Sequence, residues 1–68
     1  MPKYNNTFWT KFDDTFYRIK DNTLYQAPIN NDETVDTNNS ITTTSISSTI
    51  LENINQEFGS KFTSKDFN

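Results

Sequence analysis

The sequence predicts a small α+β domain, and three observations point to it. Residues 7–27 alternate aromatic and threonine-rich runs with Asp-Asp and Asp-Asn pairs, the pattern of an antiparallel meander. Residues 49–58 place Ile50, Leu51, Ile54 and Phe58 at spacings of three and four, the period of a helix with one apolar side. A polar bridge, 28–48, joins these two parts, and an aromatic tail, 59–68, closes the chain. With 68 residues in all, this is a single small domain.

The meander is read strand by strand. Residues 7–12, Thr-Phe-Trp-Thr-Lys-Phe, are strand formers, and Asp13-Asp14 is a turn. Residues 15–20 form the second strand. Asp21-Asn22 follows, a pair able to adopt positive φ in a two-residue hairpin loop. Residues 23–27 form the third strand, and Pro28 ends it. Successive side chains on a strand point to opposite faces. One face therefore gathers Phe8, Phe12, Tyr17, Ile19 and Leu24. The other carries Trp9, Phe16 and Tyr25 among Lys11, Arg18 and Lys20. Three large aromatics on a nominally wet face need either cover from the C-terminal segment or a partner.

The bridge is Asn-, Ser- and Thr-rich, with Ile29, Val35, Ile41 and Ile46 standing alone. Residues 41–46 alternate loosely, as an edge strand does. They are suited to adding a fourth strand to this sheet or to a neighbour's. The helix begins near Thr49, which forms a capping box with Glu52, or else at Ser47 or Ser48. Gly59 stops it. Asn53 and Asn55 are weak helix formers, so the helix needs packing to persist. Phe62 and Phe67 in the tail dock either on this chain or on a partner.

Composition narrows function by exclusion. No Cys means no disulfide, thiolate metal site or Cys nucleophile, and no His means no imidazole ligand or Ser-His pair. Small domains usually need a disulfide, a metal or a partner to hold them, so oligomerisation or docking is the support left. Thr, Asn and Ser make up 27 of the 68 residues, and apolar residues only 31%. Aromatics reach 15%, which argues against disorder and makes them the material of the core. No apolar run is long enough to span a membrane, and the N-terminus lacks the apolar stretch of a secretory signal.

The net charge of −3 is unevenly spread: residues 1–12 carry +2, residues 13–36 carry −4 and residues 37–68 carry −1. The pairs Asp13-Asp14 and Asp32-Glu33 are adjacent in sequence, so in extended chain they point apart, and no apolar pocket is evident to raise a carboxyl pKa. No catalytic residue is expected. The spacing Asp32-x-Thr34-x-Asp36-x-Asn38 opens like a calcium loop, but Thr37 and Thr43 stand where that loop requires Gly and Glu. No metal and no cofactor is expected. Aromatics interleaved with Arg18 and Lys20 suit the stacking of single-stranded nucleic acid, but acidic turns lie on both sides, and nucleic acid is not expected as the partner.

The run Tyr17-Arg18-Ile19-Lys20-Asp21-Asn22-Thr23-Leu24-Tyr25-Gln26-Ala27-Pro28, with the loop 29–36 and its acids Asp32, Glu33 and Asp36 after it, resembles small bacteriophage proteins, especially those of marine cyanobacteria. They pair a Tyr-Arg-hydrophobic strand, an Asp-Asn or Asp-Gly turn and a Leu-x-x-Ala-Pro strand end with an acidic loop. The resemblance covers 20 of 68 residues and implies a phage genome as the origin. It carries over no functional residue.

These observations favour a non-catalytic protein–protein interaction protein. The first expectation is a structural component of a virion, held in a homo-oligomer or by other virion proteins. The alternative is an effector that binds and inhibits a host protein in the host cytoplasm. The interface candidates are Trp9, Phe16, Tyr25, Asp32, Glu33, Asp36, Phe62 and Phe67. No membrane partner is expected.

Overall fold

A computed structural model of the chain describes residues 5, 6 and 8–67. Its elements are β1 (Thr10–Phe12), β2 (Thr15–Lys20), β3 (Thr23–Pro28), β4 (Ile41–Thr42) and α1 (Ser48–Phe58). Short 3-10 turns lie at Thr37–Asn39 and Ser64–Phe67. The four strands form one antiparallel sheet in the order β1-β2-β3-β4, so the fold is α+β as the sequence predicts. Among the described residues no helix is long and apolar enough to cross a membrane.

The β2–β3 hairpin follows its sequence closely. Lys20 pairs with Thr23 across Asp21 (φ 51°) and Asn22 (φ 64°), both left-handed, as a two-residue loop matching the strand twist requires. The β1–β2 loop is equally tight: Phe12 pairs with Thr15, and Asp13 takes the positive φ of 56°.

The first strand is shorter than expected, and one core assignment is corrected with it. Thr7, where it was to begin, lies outside the described residues. Extending the β1–β2 register would set Phe8 opposite Ile19. Asn6 takes that place instead: its N–H donates to the Ile19 carbonyl (3.0 Å) and its Oδ1 accepts from the Ile19 N–H (2.7 Å). Phe8 and Trp9 stand outside the ladder, and the Asn6 side-chain amide donates to the Phe8 carbonyl. Phe8 is therefore 76% exposed and not part of the core.

The inner face of the sheet carries Tyr17, Ile19 and Leu24, all buried. Ile54, fully buried in α1, joins them to form the core cluster. Phe12, Ile46, Ile50, Phe58, Phe62 and Phe67 pack around it. Phe12 meets Tyr17 at 6.0 Å and the edge of Phe58 at 6.3 Å, within the usual range for aromatic pairs. So few aliphatics suffice because aromatics close the rim.

The α1 cap is Ser47, whose Oγ accepts from the Ile50 N–H (3.2 Å), rather than Thr49, which lies inside the first turn. Ser47 wins because Ile46, just before it, packs on the core and fixes the entry of the chain. Gly59 ends the helix at φ 67°. The tail then folds back. The Asn55 side chain donates to the Phe62 carbonyl (2.9 Å) and accepts from the Phe62 N–H (3.0 Å) and the buried Ser60 hydroxyl (2.8 Å). Phe62 and Phe67 pack ring to ring at 5.7 Å against this chain's own core.

The bridge is ordered. Ile29 pairs with Val35 in a miniature hairpin, closed by Asn30 N–H to the Thr34 carbonyl (2.8 Å) and Asp36 N–H to the Pro28 carbonyl (2.9 Å). Its far end supplies β4, where Ile41 pairs with Gln26 and Thr42 with Tyr25. The fourth strand is thus added to this sheet.

Candidate functional site

The register fixes which side chains share the outer face, because residues directly paired across antiparallel strands point the same way. Lys11 pairs with Phe16, Phe16 with Ala27, and Arg18 with Tyr25. Lys20 continues the β2 row beyond Arg18. Trp9 joins them from the β1 side: with Arg18, Lys20, Tyr25 and Ser40 it lines a shallow open depression of about 270 Å³. Trp9, Phe16, Arg18 and Tyr25 are half-buried, and Lys11 and Lys20 are exposed. Only Ala27, at the end of this face, is buried.

The electrostatics of the face are one-sided. Its registered positions hold three cations, Lys11, Arg18 and Lys20, and no carboxylate. Among the described residues none of the three has an ion-pair partner. The Arg18 Nε donates to the Asn6 carbonyl (3.1 Å), and Arg18 lines the depression with Trp9 and Tyr25. The turn acids Asp13, Asp14 and Asp21 lie in the β1–β2 and β2–β3 loops, outside the registered positions. Burial, and after it the Asp13 charge, push the Tyr17 phenol above its ordinary pKa, and Tyr17 is an inner-face residue.

The remaining interface candidates lie elsewhere. Asp32, Glu33 and Asp36 sit in the β3–β4 connection, where two of the three carboxylates shape the loop. The Asp32 Oδ1 accepts from the Thr34 hydroxyl (2.6 Å) and N–H (3.2 Å), which holds its pKa below the ordinary value. The Asp36 Oδ2 accepts from the Asn39 amide (2.7 Å). Glu33 adopts a φ of 69° at the loop tip. Phe62 and Phe67 are on the inner side, committed to the tail. The structure therefore unites Trp9, Phe16 and Tyr25 and separates them from the other five.

A second depression, about 250 Å³, opens between the β2–β3 turn and the tail, with Leu24, Thr43, Phe62 and Phe67 in its wall. The Thr43 hydroxyl is buried there without a hydrogen-bond partner among the described residues.

No family model, curated protein or solved structure matches the chain. Its surface is read from its own chemistry.

Proposed function

We propose that the chain is a non-catalytic docking component of a larger assembly, a phage particle in the first instance, and that the outer face of its sheet is the surface by which it docks. The observation that supports this is the placement of Trp9, Phe16 and Tyr25 half-exposed on a face that α1 leaves uncovered. Trp, Tyr and Arg are the residues that most often carry binding energy at interfaces, and here they are neighbours around Arg18. The inner-face residues complete a core, so the outer aromatics are not needed for it. The alternative, a host-directed effector working through Asp32, Glu33 and Asp36, has less support, since two of those carboxylates are engaged in local turns.

Co-sedimentation with particles of the encoding virus tests this reading. The chain is expected to sediment with the particles at a fixed copy number. A Trp9→Ser/Tyr25→Ser variant is expected to stay folded and remain in the supernatant. Wild-type chain found only in the supernatant would overturn the proposal.

A further inference from the structure

We propose that the occupant of the outer face is single-stranded nucleic acid, with Trp9, Phe16 and Tyr25 stacking on bases and Lys11, Arg18 and Lys20 meeting phosphates. The assignment presupposes that this face docks, and it names the chemistry of what docks there. Charge is the first reason. A chain of net charge −3 has collected three of its six cations on one face whose registered positions hold none of its nine carboxylates. The acidic turns that weigh against nucleic acid in the sequence, Asp13-Asp14 and Asp21, sit in the β1–β2 and β2–β3 loops and not among these registered positions.

The interleaving is the second reason. Aromatic and cationic side chains alternate on neighbouring strands, as bases and phosphates alternate on a nucleic-acid strand. Phe16 and Tyr25 are diagonal neighbours, about 7–8 Å apart in such a sheet, within reach of successive nucleotides of an extended strand. Arg18 pairs with Tyr25 across the strands and lines one depression with Trp9 and Tyr25, and its terminal N–H groups have no acceptor among the described residues. An acidic peptide would use the cations and leave three ring faces unmatched. Stacking on every base is sequence-tolerant, and phosphate contacts carry no sequence information, so little sequence preference is expected.

The single tryptophan sits in the site and reports on it. Trp9 fluorescence is titrated with dodecathymidylate, dodecauridylate and deca-glutamate, at 50 and 200 mM salt. Saturable quenching by either oligonucleotide is expected. Three neutralised phosphates give a log–log salt slope of about −2, a loss of roughly 20-fold between the two salt concentrations. Tyr25→Ala is expected to weaken binding about tenfold or more, and Tyr25→Phe to restore it, because stacking needs the ring and not the hydroxyl. Lys11→Gln and Lys20→Gln change exposed positions only, and each is expected to flatten the slope by about 0.7. If deca-glutamate binds and the oligonucleotides do not, the nucleic-acid assignment is overturned while the docking face stands. If none of the three binds, the nucleic-acid assignment is overturned, and if Trp9→Ser/Tyr25→Ser still co-sediments with particles, the docking face is overturned with it.

Discussion

The two asparagines of α1 respond oppositely to one substitution. Asn53 is exposed, and its side chain has no hydrogen-bond partner among the described residues. Asn53→Ala changes only helix propensity and stabilises the protein by about 0.5 kcal/mol. Asn55 holds the tail through three hydrogen bonds, two to the Phe62 backbone and one to buried Ser60. Each is worth about 1 kcal/mol net, so Asn55→Ala loses about 3 kcal/mol. The alanine returns about 0.5 kcal/mol of propensity, which leaves a cost of roughly 2.5 kcal/mol. A chain of 68 residues has a total stability of only roughly 3–10 kcal/mol, so that cost is a large share. Thermal unfolding followed by circular dichroism reads both variants. At about 4–8 °C per kcal/mol for a domain this small, Asn55→Ala melts at least about 10 °C lower and Asn53→Ala about 2–4 °C higher. Equal shifts of the same sign would refute the assignment of Asn55 as the clamp of the tail.

Three further outcomes follow from single features. Thr43→Val removes a buried hydroxyl that has no partner among the described residues while keeping its shape, and raises stability by about 1 kcal/mol in urea titration. Ser47→Ala costs about 1 kcal/mol by loss of the cap, whereas Thr49→Ala is neutral or mildly stabilising, a contrast visible in the same titration. Tyr17 ionises above its ordinary value in the folded chain, so its contribution is fully present below pH 10 and is lost as pH rises from there through the folded pKa. Urea midpoints across that alkaline range fall for the wild type and fall less for Tyr17→Phe.

Much of the fold is legible in the sequence where local chemistry and tertiary packing agree. Asp21-Asn22 supplies the loop that the strand twist demands, and β2 and β3 follow from it. The stripe of Ile50, Leu51, Ile54 and Phe58 is the buried side of α1, and Gly59 is its stop. The misreadings arise where a side chain does the work of backbone. Asn6 pairs with both polar groups of Ile19, which turns Phe8 out of the ladder, and alternation alone gives no sign of this. The sequence leaves the cap open between Thr49, Ser47 and Ser48, and Ser47 takes it where Ile46, packed on the core, leads into the helix, a long-range fact. Asn55 reads as a poor helix former until the returning tail shows why an amide stands there. Phe16 and Tyr25 are put on one face by the pleat, whereas Trp9 lies before β1 and reaches Arg18 and Tyr25 only as part of the depression they share. Fixing which charges share the face of Phe16 and Tyr25 required the strand register.

Amide NMR of the labelled chain, titrated with dodecathymidylate, tests most directly whether the outer face is the working surface. Shifts confined to residues 9–11, 16–20 and 25, with α1 and the tail unmoved, are the expected result. Shifts centred on residues 48–67, or none at concentrations that saturate Trp9 quenching, would contradict it.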